Sequence, residues 1–115
     1  MLTQAQTLEH IQFVLDEMKA QDIIILDVRK KTAIADYMII CTGRSSRHVA
    51  AIAEEIYEHL KKAGLPQLRI SGQEQGEWAL LDCCDVIVHV MQAETRAYYH
   101  LEELWQDPSV PQEHA

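Results

Sequence analysis

Cysteine, glycine, proline and phenylalanine are all scarce in this 115-residue chain, which has three, four, three and one of them. Cys41, Cys83 and Cys84 are odd in number, two of them are adjacent, and no C-x-x-C pair gives metal or redox spacing. A disulfide scaffold is therefore not expected, and Cys41, inside an apolar run, reads as a small buried hydrophobe. The six histidines are scattered and match no zinc pattern. No apolar run approaches the ~20 residues of a membrane helix. The opening MLTQAQTLEH lacks the basic start and apolar stretch of a signal peptide, so a soluble cytoplasmic protein is expected.

Positive charge is the other shortage, and it is local. The net charge is -8, from 18 acids and 10 bases. Residues 1–71 hold nine of each, whereas residues 72–115 hold the other nine acids and a single base, Arg96. Free nucleic acid is a poor ligand for the acidic part, because binding it means neutralising phosphates with Lys and Arg. A basic protein surface is a better match. A solvated acidic face that aids solubility is the plainer alternative.

What is present is strongly patterned. Leu8, Ile11, Val14, Leu15 and Met18 have helical spacing, with Thr3 or Thr7 as cap. Ile23 to Leu26 and Val28 form an apolar, β-branched run, read as a strand covered on both faces. Arg29-Lys30-Lys31 end it as an exposed turn, and Tyr37 to Thr42, closed by Gly43, is a second such strand. Val49, Ile52, Ala53, Ile56 and Leu60 mark a helix with Ser45 or Ser46 as N-cap and Gly64 as its stop. Leu68–Ile70, Trp78–Asp82 and Val86–Met91 are strand candidates, and Ala97, Tyr98, Leu101, Leu104 and Trp105 make a last helix. The order predicts an α/β chain of the mixed α+β kind: a five-stranded mixed sheet with about three packed helices. One domain is expected over residues 1–106, and residues 107–115, with two prolines, are expected to be a disordered tail.

Two stretches invite a chemical reading. The strand ending at Gly43 runs into Ser45 and Ser46 at a helix start, where backbone amides, the helix dipole and Arg44 or Arg47 would suit an anion. TGRSSR has one glycine, matches neither the dinucleotide fingerprint nor the GxxxxGK[ST] loop, and is also explained by ordinary capping. A nucleotidyl-transferase-like enzyme would need paired carboxylates for metal ions, and Asp82 and Asp85 are the nearest pair. No Asp-x-Asp motif is present and no metal site is expected.

If Cys83-Cys84 are a two-residue hairpin loop, Asp82 faces Asp85, Leu80 faces Ile87 and Trp78 faces His89. Alternation then puts Ala79, Leu81, Val86, Val88 and Val90 on one wholly apolar face, read as core. The other face carries Trp78, Leu80, Asp82, Asp85, Ile87, His89 and Met91. Its mixture of large apolar groups and charge suits a partner-binding surface anchored by Trp78 with acids at the rim. A covering helix that makes Trp78 a core residue is the alternative. Tyr98, Tyr99 and Trp105 leave the same choice open, and at helical spacing such residues are more often core.

DYMIICTGRSSRHVAAIAEEI, GEWALLDCCDVIVHVM and RAYYHLEELW resemble the ribosomal silencing factor (Iojap) family from about Leu8 to Trp105. The resemblance implies a nucleotidyl-transferase-like fold without established catalysis and without a cofactor. It also implies binding to the fourteenth protein of the large ribosomal subunit, which blocks joining of the small subunit and represses translation under nutrient limitation. Trp78, Asp82, Asp85 and His89 match positions near the family's partner surface, and homodimers are common in the family. Apart from the resemblance, the bases Arg44 and Arg47, with Arg29, Lys30 and Lys31, lie in a charge-neutral half, so RNA contact through them is expected to be secondary at most. Two positions depart from the family pattern. Cys83-Cys84 stand where an aromatic or aliphatic residue followed by Gly is usual, and a positive φ at Cys84 would cost roughly 1 kcal/mol. Ser71 stands where an acid is common.

Overall fold

The computed structural model describes residues 2–104; Trp105 and the expected tail lie outside the described residues. Helix α1 (Gln4–Glu17) begins at Thr3, whose hydroxyl accepts from the Gln6 N–H while the Gln6 side chain accepts from the Thr3 N–H. That reciprocal capping box satisfies two amides that a helix start leaves open. Helix α2 (Ser46–Lys62) is capped by Ser45, whose hydroxyl accepts from the His48 N–H at 3.1 Å. Past its end Gly64 takes a φ of 96°, the left-handed conformation glycine adopts without steric cost.

Strands β1 (Gln21–Asp27), β2 (Tyr37–Gly43), β3 (Leu68–Ser71), β4 (Trp78–Cys83) and β5 (Val86–Gln92) form one sheet in the order β1-β2-β5-β4-β3. β2 runs parallel to β5, and the other pairs are antiparallel. The architecture is therefore the expected α+β mixed sheet. Among the described residues it has four helices rather than about three, because His100 adopts a left-handed backbone (φ 49°) and splits the last one into α3 (Ala93–Tyr99) and α4 (Leu101–Leu104).

The main core lies between the sheet and the pair α1 and α2. Ile11, Leu15, Val49, Ile52, Ile56 and Leu60 pack on Ile39, Cys41, Ala79, Leu81, Val88 and Val90. β1 and β2 show why an apolar run does not reveal depth. β2 is an interior strand buried from Met38 to Gly43, whereas β1 is an edge strand with no buried residue, so the expectation that it is covered on both faces is corrected. Ile25 stands opposite Ile39, yet it is 41% exposed while Ile39 is fully buried. The main contacts of α1 and α2 with the sheet fall on β2 to β5, so that side of β1 is less covered. Among the described residues no helix is long and apolar enough to cross a membrane.

Candidate functional site

The opposite side of the sheet is only partly covered. A small second core of Val28, Ala35, Met38, Ile40 and Met91 lies there, with Leu26, Trp78, Ile87 and Leu101 packed at its margin. The segment after β1 and the α3–α4 arm supply that cover, so the β4 side of the face stays half-open. Arg96 ties the arm down. It is 8% exposed, donates to the Asp22 carbonyl at 2.6 Å and the Thr42 hydroxyl at 2.9 Å, and pairs with Glu102 at 3.3 Å. The one base of the acidic segment is thus a clamp between α3, the edge strand and β2.

The β4–β5 hairpin closes one residue later than expected. Cys83 pairs with Val86, Asp82 with Ile87, Leu80 with His89 and Trp78 with Met91, so the loop is Cys84-Asp85. Asp82 and Asp85 therefore do not face each other across the ladder, and the expected carboxylate pair is corrected. Extending β4 by one residue buries Cys83 on the core face beside Val86, which gains apolar contact. Burial pushes its thiol up to about 12, so it stays an uncharged core group. Cys84 carries the strain, with a φ of 66° in the turn, and its thiol donates to the Gln67 carbonyl at 3.3 Å. The Asp85 carbonyl accepts from Asp36 and Tyr37 N–H groups, docking the turn on the start of β2.

Moving the loop by one residue leaves the parity of each strand unchanged. Trp78, Leu80, Asp82, Ile87, His89 and Met91 still share the face assigned to them. Trp78 is neither fully core nor fully free. It is half-buried, its indole N–H donates to His89 Nδ1 at 2.9 Å, and its ring lies 4.9 Å from that of Tyr99. His89 is 7% exposed, and burial holds its imidazole down to about 4. A neutral ring keeps the Nδ1 lone pair that the indole needs. His89 thus acts behind Trp78 and orients it.

Two aromatics expected in the core are outside. Tyr98 is 78% and Tyr99 52% exposed, with their rings 4.9 Å apart edge to face, extending the Trp78 surface onto α3. Adjacent residues on a helix point about 100° apart, so a Tyr-Tyr pair cannot bury both rings on one side; that was the available signal. Leu80, Asp82 and Ile87 are half-buried on the sheet, and Asp85 is exposed at its end.

The Ser45 turn is at the other end of the sheet. Gly43 pairs with Gln92 and Tyr37 with Val86, so the length of β2, about 20 Å, separates it from the Cys84-Asp85 turn. The serine and the two aspartates of an enzyme reading are not brought together. The amides of the turn are also engaged: the Arg44 N–H donates to His48 Nδ1, and the His48 N–H donates to Ser45 Oγ. With Nδ1 accepting, His48 Nε2–H donates to the Met18 carbonyl at 2.7 Å, joining α2 to α1. Gly76, at a φ of 72°, sits so close that a Cβ would lie 2.4 Å from the Ser46 carbonyl oxygen. Arg44 and Arg47 are exposed there. Among the described residues no group of three or more His, Cys, Asp or Glu is placed to hold a metal.

Fold and face together define the class: an α+β mixed-sheet domain with helices packed on one side and an aromatic, acid-edged, half-open surface on the other. The sequence profile of the family described as ribosomal silencing factor during starvation matches residues 2–115. The chain belongs to that ribosomal silencing factor family. It is 43% identical over 97 residues to ribosomal silencing factor RsfS of Haemophilus influenzae, covering 84% of this chain and 95% of the relative. Identity to the Bacillus subtilis RsfS is 40% over 92 residues, covering 80% and 78%. A more distant relative is the mouse protein named mitochondrial assembly of ribosomal large subunit protein 1, 34% identical, with 80% of this chain and 42% of that protein covered. A crystal structure of a Chromobacterium violaceum protein superposes with a TM-score of 0.87 at 38% identity, covering 99% and 97% of the two chains.

Proposed function

We propose that this chain silences ribosomes by occlusion: it binds the fourteenth protein of the large ribosomal subunit and blocks joining of the small subunit. The observation that carries the reading is the aromatic surface of Trp78, Tyr99 and Tyr98 on the half-open sheet face. Trp78, held in place by His89, and the tyrosine rings packed beside it give large contact area at low ordering cost, as interface anchors do. Leu80 and Ile87 continue the apolar contact, and Asp82 and Asp85 face basic groups of the partner. Family membership and the large-subunit wording in the mouse relative's name point the same way.

No catalysis is needed, since a domain bound at a subunit interface leaves no room for the other subunit. The roughly 20 Å between the Ser45 turn and the Cys84-Asp85 turn supports a non-enzymatic role. The site of action is the cytoplasm, RNA contact through Arg44 and Arg47 is secondary, and any homodimer must leave the Trp78 face open. The test is to mix the purified chain with separated subunits and sediment them. Saturating protein should keep the subunits apart and co-sediment with the large one. Normal joining would overturn the proposal.

A further inference from the structure

On the side of the molecule away from Trp78, His10 of α1 and His59 of α2 meet across the helix pair, with His10 Nδ1 2.8 Å from His59 Nε2. Forty-nine residues separate them in sequence, so no spacing pattern announced the pair. They open into a cavity of about 370 Å³ lined also by Glu9 and Phe13. Phe13 is 55% exposed, and its ring lies 5.6 Å from that of His59.

We propose that His10 and His59 form a two-histidine site for a late first-row divalent cation of the zinc or copper type. Imidazole nitrogens bind these ions at about 2.0 Å, so two of them on one ion stand about 2.8 Å apart at a right angle and about 3.3 Å apart at the tetrahedral angle. The observed 2.8 Å meets the first value and reaches the second with a small outward movement of half-buried side chains. The ring centroids, 4.9 Å apart, fall between the separations of about 4.5 and 5.2 Å that the same two angles give.

One proton lies between the facing nitrogens, since one must donate to the other. For metal binding it moves to the outward nitrogen of the ring that carries it, leaving both inner nitrogens as lone-pair donors. A modest rotation of each ring then aims both lone pairs into the cavity, where the remaining positions of the ion are filled by water. Glu9 at the cavity wall favours a cation there. A bound ion would staple α1 to α2 without touching the ribosome-facing side, so it goes beyond the silencing proposal and stands or falls separately.

The test titrates the full chain with Zn²⁺ and with Cu²⁺ at pH 7.5, read by calorimetry and by imidazole nitrogen NMR. The expected result is one ion per chain, with the His10 and His59 ring signals shifting and those of His48, His89 and His100 unchanged. His10→Gln or His59→Gln should raise the Kd at least tenfold. Shifts centred on other histidines, or a folded variant that binds as tightly as the unaltered chain, would overturn the proposal. The ring signals of the unaltered chain decide the matter even if a variant fails to fold.

Discussion

Acid should destabilise this domain through His89, and the size of the effect follows from its burial. The imidazole has an ordinary value of 6.5 and is held down to about 4 in the fold, because protonating it desolvates a charge and removes the acceptor for the Trp78 indole. The folded value lies below the unfolded one, so the stabilisation is complete above about pH 6.5 and is lost as the pH falls toward 4. Between pH 7.5 and 4.5 the linkage amounts to about 2.5 kcal/mol, a large share of the ~5–15 kcal/mol that holds a domain together. Carboxylates titrate over the same range, so the comparison must be differential. In His89→Asn an amide oxygen replaces the Nδ1 acceptor and cannot be protonated, while every other group is kept. Urea unfolding followed by tryptophan fluorescence should show the unaltered chain losing about 2.5 kcal/mol more than the variant over that interval. Parallel losses would refute the reasoning and mean that His89 titrates as a solvated side chain.

Trp78→Ala should weaken binding to the large subunit by about 2 kcal/mol or more, roughly thirtyfold, with the fold kept because the main core lies on the other side; circular dichroism and sedimentation check both halves. Arg96→Met keeps the aliphatic stem but removes the bonds to Asp22, Thr42 and Glu102, and should cost roughly 2–4 kcal/mol in urea unfolding. Cys84→Gly relieves the positive φ and should raise stability by about 0.5 kcal/mol, the relief being partly offset by the freer unfolded chain; thermal melts would show it.

Features written within a few residues of each other were legible in the chain. The patterns placed α1 and α2 and narrowed their caps to Thr3 or Thr7 and to Ser45 or Ser46, because a cap and its amides are neighbours along the backbone; the structure chose Thr3, boxed with Gln6, and Ser45. The two faces of β4 and β5 were also legible, since alternation along each strand survives a change of loop. The Asp82–Asp85 pairing was not, because it depended on whether Cys83 turned or buried. β1 and β2 carry similar apolar runs, yet one is an edge strand and the other an interior one, and the reach of the helices distinguishes them. Tyr98 and Tyr99 read as core until the break at His100 left α3 with both rings outside.

The scarcity of basic side chains after residue 71 likewise has two parts. By itself, the sequence determined an acidic segment built around the Trp78 strand and poorly suited to nucleic acid. Only the tertiary structure decided that its one base, Arg96, is buried as a clamp, and that His10 and His59, far apart along the chain, touch. Caps, periodicity and charge balance act over a few residues. Strand order, depth and side-chain meetings are set by the packing of segments that the chain keeps dozens of residues apart.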